Sequence, residues 1–148
     1  MPDGFEDPKE KLILIVDDDL SILDLLEHAI GKHGFKVERA SDGDEALKKA
    51  QSLNPNLIIL DFMLPGISGF DIIHHLQVGD TATIPILVIT GRRMDPKNIH
   101  LIKQEPNIKE FIEKPIRVVM LTNAIHRILR TRPPELNPPG RGPMSSSW

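Results

Sequence analysis

Four consecutive apolar residues, Leu57 to Leu60, lie between Asn54-Pro55 and a loop rich in Pro, Gly and Ser. That pattern predicts a short strand buried on both faces, with Asp61 at its carboxyl end. The rest of the chain alternates around it. Lys11 to Val16 predicts a first strand, and Leu20 to His33 a helix with Ile22, Leu23, Leu26 and Ile30 on one face and Gly34 as its stop. Phe35 to Arg39 reads as a second strand. After Asp42-Gly43, the residues Ala46, Leu47, Ala50 and Leu53 recur at helical spacing up to Asn54-Pro55. Beyond Asp61, a loop to Gly69 precedes a short helix through Phe70, Ile73 and Leu76, and Pro85 to Thr90 is a fourth apolar strand. Asp95-Pro96 marks a helix start, Asp at the cap and Pro in the first turn, for a helix that carries Ile99 and Ile102 and stops before Pro106. Glu110 to Glu113 forms a last strand. Ile116 to Arg130 forms a last helix with Leu121, Ala124, Ile125 and Ile128 inward and Arg127 and Arg130 at its negative end. Strands alternating with helices through short loops specify an α/β fold, a doubly wound five-stranded parallel sheet with right-handed crossovers. The expected strand order is 2-1-3-4-5, which sets the strands ending in Asp17-Asp18 and Asp61 side by side at the switch point.

The polar residues at the strand ends then acquire a common address. Asp17-Asp18, Asp61, Thr90 and Lys114 each follow an apolar run, and in an open parallel sheet such ends converge on one crevice. Three carboxylates gathered there repel one another unless a cation compensates. All-oxygen ligands without nearby His or Cys point to a hard ion, Mg²⁺ with Mn²⁺ as the alternative. Lys114 adds a positive charge and Thr90 a hydroxyl. Together they complement the oxygens of a phosphoryl group carried on an Asp nucleophile. Taken singly, each of these residues has a plainer explanation: Asp as a turn or helix cap, Thr90 as a β-branched strand end, Lys114 as a surface lysine.

Composition narrows the setting. The 148 residues suit one domain, read as an N-terminal extension over 1–10, a core domain over 11–131, and a Pro-rich disordered tail or truncated linker over 132–148. With no cysteine, neither disulfides nor thiolate metal sites are available. The acidic N-terminus does not resemble a signal peptide and no apolar run reaches spanning length, so a soluble, cytoplasmic protein without membrane partners is expected. Charge is uneven: residues 1–75 hold 15 acids against 7 bases, residues 76–148 hold 6 against 11. The basic half contains no Lys/Arg block and no interleaved aromatics, which argues against direct nucleic-acid binding. The six histidines show no i, i+4 ligand pair and are assigned to surface or packing roles.

Five segments in order carry a resemblance: Ile13-Leu14-Ile15-Val16-Asp17-Asp18-Asp19, Ala40 to Leu47, Asp61-Phe62-Met63-Leu64-Pro65-Gly66-Ile67-Ser68-Gly69, Ile86 to Gly91, and Phe111-Ile112-Glu113-Lys114-Pro115-Ile116. Over residues 11–131 the chain resembles the receiver domains of two-component response regulators, with their flavodoxin-like, CheY-like (βα)5 fold. The resemblance implies that Asp61 is the phosphoacceptor, that Asp17, Asp18, Asp61 and the backbone carbonyl of Met63 bind the metal, and that Lys114 contacts the phosphoryl group and precedes a cis bond to Pro115. It makes Thr90 and Phe111 the switch pair. It also implies a histidine kinase or phosphotransfer protein as phosphodonor, self-catalysed transfer and hydrolysis rather than enzymatic action on a separate substrate, and a downstream protein partner at the surface of residues 91–120. Asp19 reads instead as the opening of the first helix. Gln104 to Lys109 lacks the family's usual Gly-Ala pair, and the family's charged positions for dimerisation through the last helices are not evident. Two other functions compete. A haloacid-dehalogenase-like phosphatase would use Asp17-x-Asp19, Thr90 and Lys114, but it needs a later acidic motif, and residues 115–148 offer only Glu135. A receiver-like interaction module without phosphorylation would have no use for the complete set of site residues.

Overall fold

The computed structural model describes residues 4–91 and 94–134. Five strands, β1 (Leu12–Val16), β2 (Lys36–Ala40), β3 (Leu57–Asp61), β4 (Ile86–Thr90) and β5 (Ile108–Glu113), form one parallel sheet in the order β2-β1-β3-β4-β5. The helices α1 (Leu20–Lys32), α2 (Gly43–Leu53), α3 (Gly69–Leu76), α4 (Pro96–Lys103) and α5 (Val118–Leu129) cover both faces. The strand alternation divides the core in two. Ile13, Ile15, Leu57, Ile59, Leu87 and Ile89 meet α1 and α5 on one side. Leu14, Val16, Ile58, Leu60, Ile86 and Val88 meet α2, α3 and α4 on the other. All five residues of β3 and of β4 are buried, which is why their sequences are unbroken apolar runs and not alternating ones.

Helix starts follow the capping chemistry of the sequence. Asp19 accepts from the amides of Ser21 and Ile22, Asp42 from Glu45, Ser68 from Asp71, and Asp95 from Lys97. Glu45 also reaches back past the cap to accept from the Ser41 amide at 2.8 Å, which fixes the turn ahead of α2. Several boundaries move. Phe35 is a buried core residue ahead of β2, which starts and ends one residue later than expected. β5 begins at Ile108 and not Glu110, because its pairing with β4 extends to Ile86 across an irregularity between Ile86 and Leu87. Residues before Val118 stay out of α5: Arg117 is extended and supplies no side-chain cap. Leu53, expected on the inner stripe of α2, is exposed in its last turn. A one-turn helix, Gly79–Thr83, was not anticipated; Thr81 holds it by donating to the carbonyls of Leu76 and Val78. Among the described residues no helix is long and apolar enough to cross a membrane.

Candidate functional site

The topology delivers four of the expected residues to one place. β1 and β3 are neighbours, with Val16 opposite Leu60, so Asp17 and Asp61 leave the sheet side by side. Carboxylate oxygens of Asp17, Asp18 and Asp61 lie within 4.8 Å of one another. Asp17 and Asp61 are each 2% exposed, whereas Asp18 faces solvent. The amide of Lys114 donates to the Thr90 carbonyl at 2.8 Å, so the strand ends of β4 and β5 bring the lysine in from the far side. Its ammonium donates to Asp61 Oδ2 at 3.0 Å and lies 3.8 Å from Asp17 Oδ2. The peptide between Lys114 and Pro115 is cis.

Electrostatics follow from this crowding. Burial, aided by the charges of Asp61 and Asp18, raises Asp17 from its ordinary 3.8 to about 6, against the opposing effect of the Asp19 amide and Lys114. Burial alone would push the Lys114 ammonium down. The hydrogen bond to Asp61 and the charges of Asp61, Asp17 and Asp18 outweigh that and hold it above its usual value.

The loop after Asp61 is shaped to hold that carboxylate. The Met63 amide donates to Asp61 Oδ1 at 3.0 Å, and the side chains alternate, Phe62 and Leu64 buried and Met63 exposed. Phe62 meets Phe70 edge-on with ring centroids 5.0 Å apart. Gly69 lies beneath the same ring: a Cβ there would stand 2.3 Å from Phe62 Cδ1, so the close approach requires glycine.

Thr90 is buried at the end of β4, and among the described residues its hydroxyl has no hydrogen-bond partner. Phe111 pairs in register with Val88, two residues before Thr90 on the same face of the sheet, and packs half-buried against that side of the core. The Lys103 ammonium stands 5.4 Å from the centre of its ring. Thr90 and Phe111 are therefore neighbours on one face, and Thr90 adjoins the carboxylate crevice through the β3–β4 pair.

The chain matches the family described as response regulator receiver domain over residues 13–126. It belongs to that family. It is 36% identical over 120 residues to the alkaline phosphatase synthesis transcriptional regulatory protein PhoP of Bacillus subtilis, covering 81% of this chain and 49% of that protein. It is 32% identical over 123 residues to the response regulator MprA of Mycobacterium tuberculosis, covering 83% and 52%. Among solved structures it is similar to the chemotaxis response regulator CheY4 of Vibrio cholerae, with a TM-score of 0.72 and 29% identity over 80% of this chain and 98% of that one. The receiver thus spans about half the length of the curated relatives it matches. As a receiver domain it is a phosphoryl-accepting part of two-component signalling.

Two further groups of polar residues were not legible as anything but packing. Asn107, buried where the family's small pair is missing, donates to the Ile84 carbonyl and accepts from Gln77, both at 2.9 Å. His126, also buried, bonds to His33 and Thr131 at the opposite pole of the sheet. The Asn107 links and the His33–His126 pair join elements far apart in sequence, so no local spacing encodes them, whereas His126 and Thr131 are only five residues apart. The loop residues Arg92 and Arg93 and the tail from 135 lie outside the described residues.

Proposed function

We propose that the domain accepts a phosphoryl group on Asp61 from a histidine kinase or phosphotransfer protein, with Mg²⁺ or Mn²⁺, and thereby alters a protein-binding surface over residues 91–120. The observation that carries this reading is the buried Asp61 carboxylate, set among Asp17, Asp18 and Lys114 at the C-terminal edge of the sheet. The donor set fits a hard divalent cation: three carboxylates, one of them with its proton affinity raised by burial, and among the described residues no histidine or cysteine grouped with them. Asp17, Asp18, Asp61 and the Met63 carbonyl would hold it. When bound, such an ion neutralises charge on the phosphoryl oxygens.

The chain's own residues supply the remainder. An oxygen of Asp61 forms the new O–P bond as the donor's N–P bond breaks, and the histidine imidazole leaves with the electron pair. Lys114, tethered to the Thr90 carbonyl, keeps its charge because its proton affinity is raised, and can follow the phosphoryl oxygens from Asp61. The Thr90 hydroxyl, unpartnered among the described residues, donates to one of those oxygens, and Phe111 turns into the space it leaves. Attack of water on the acyl phosphate releases inorganic phosphate and returns Asp61 to its resting carboxylate, so the domain promotes its own phosphorylation and hydrolysis and leaves no other molecule modified than the phosphodonor. The relatives' names include transcriptional regulators, and any DNA contact is proposed to lie outside this domain.

Intact-mass spectrometry with a small phosphodonor and Mg²⁺ tests the assignment. Wild type gains a single phosphoryl mass, Asp61→Asn none, and the label is hydroxylamine-sensitive. Equal labelling of both proteins would overturn it.

A further inference from the structure

At the pole of the sheet opposite the carboxylates, the two ends of the described chain are tied together. Thr131 is only 2% exposed, although it opens the Pro-rich stretch. Arg130 takes a left-handed conformation, φ 58°, and turns the chain back at the end of α5, so that the Thr131 amide donates to the His126 carbonyl at 3.0 Å. Glu6 pairs with Thr131 as a parallel bridge, and its amide donates to the Arg130 carbonyl at 2.9 Å. The Arg132 guanidinium lies 4.7 Å from the centre of the Phe5 ring. Residues 4–10 form a strap across the point where the chain leaves α5.

Beneath the strap lies a chain of three polar groups. His33 Nδ1 and His126 Nε2 are 2.7 Å apart, and His126 Nδ1 and Thr131 Oγ1 are 2.7 Å apart. The rings of His33 and Phe35 flank His126 at 5.0 and 5.1 Å. One proton between the two imidazoles satisfies both facing nitrogens, whichever tautomer holds it. Protonating both rings sets N–H against N–H and charge against charge.

We infer that the strap of residues 4–10, Thr131 and the His33–His126 pair form a proton-sensitive clasp that fixes the direction in which the chain leaves the receiver. The charges around the pair are Glu6, engaged with Lys11; Arg127, engaged with Glu110; Arg130, at the end of α5; Arg132, over Phe5; and Lys32, next to His33. Among the described residues neither imidazole has a carboxylate partner, so a proton taken up in the closed state finds no countercharge. Accordingly burial, with His33 beside it, lowers His126 from 6.5 to about 4 against the bond to Thr131, and burial lowers His33 as well. Opening the clasp wets His126 and restores its affinity for protons, so acid favours the open state. By linkage, one imidazole moving between 6.5 and about 4 makes opening about 30-fold more favourable at pH 5 than at pH 7.5.

This clasp is independent of the chemistry proposed for Asp61. Amide exchange of the full chain, followed by NMR and corrected for intrinsic rates, tests it. Between pH 7.5 and 5.0, protection of the Glu6 and Thr131 amides is expected to fall by about 10- to 30-fold while the β1 and β3 amides keep theirs. In a chain lacking residues 1–6, the Thr131 amide is expected to be unprotected already at pH 7.5, with the core amides reporting that the domain is folded. Constant protection of Glu6 and Thr131 across the pH range, a loss shared with β3, or undiminished Thr131 protection in the shortened chain overturns the proposal.

Discussion

Asp17 is the residue on which the electrostatics of the site turn. Its carboxyl holds a proton more firmly in the folded domain, up to about pH 6, than in the unfolded chain, where 3.8 applies. Above pH 6 the folded state therefore carries a penalty that is relieved as pH falls toward 3.8. Asp17→Asn is expected to raise the stability of the metal-free domain at pH 7 by roughly 1–3 kcal/mol while weakening Mg²⁺ binding. Urea denaturation in chelator, beside a Mg²⁺ titration, measures both; a destabilised variant would mean that the bond from the Asp19 amide outweighs the repulsion. Asp18 is exposed and contributes less to that penalty. Gly69 makes a second residue-scale test. Its alanine variant must displace the Phe62 ring, at an expected cost of about 1–3 kcal/mol in thermal or chemical denaturation. Unchanged stability would show that the ring swings aside freely.

At the scale of elements, the sheet's edge at β5 is secured by side chains where the family commonly uses small residues. Asn107 ties the turn before β5 to Ile84, while its own carbonyl accepts from the Ile86 amide at 2.8 Å. Gln77 at the end of α3 completes the link. Asn107→Ala leaves the Ile84 carbonyl and the Gln77 amide without this partner, and a loss of about 1–3 kcal/mol is expected. Amide exchange should show the loss concentrated at the start of β4 and β5, with β1 and β3 unaffected; a uniform loss of protection would contradict the localised role. The same edge carries Phe111, so the tether sets the lower end of the strand whose upper end bears Lys114.

For the whole molecule, two buried groups titrate in overlapping windows with opposite signs. His126, lowered to about 4, destabilises the fold as pH falls from 6.5. Asp17, raised to about 6, stabilises it over nearly the same interval. Their contributions largely cancel between pH 6 and 4, so Asp17→Asn is expected to expose a steeper acid loss of stability than wild type, by up to about 1 kcal/mol per pH unit. Denaturation midpoints at pH 4.5, 5.5 and 6.5 check this, and parallel profiles would refute it. On the outer surface, Lys97, Lys103, Lys109 and Arg117 are all exposed, with Leu101, Val119 and Met120 among them. An acidic, partly apolar partner is expected there, binding more weakly as salt rises. If a stable phosphoryl mimic changed exchange only around Asp17 and Asp61 and left residues 94–120 untouched, this face would not be the output.

The strands, their order and the crevice residues were readable without coordinates because each rests on short-range chemistry. Buried parallel strands need unbroken apolar runs, helix starts need acids or hydroxyls, and right-handed crossovers leave few arrangements for the strand ends. Asp17, Asp61 and Lys114 meet in the structure because a parallel sheet of this order sets the ends of its strands side by side. The rest depended on partners supplied by distant segments. β5 lengthened because β4 offered pairing partners, Leu53 stayed exposed because among the described residues none buries the last turn of α2, and Asn107 found its acceptor across the sheet edge. His33 and His126 are separated by 93 positions, and Glu6 and Thr131 lie at opposite ends of the domain. Periodicity records which face of an element is apolar, but not which polar atom waits on the other side of the packing. Only the closed tertiary structure, which removes water from both, decides that those groups must satisfy each other.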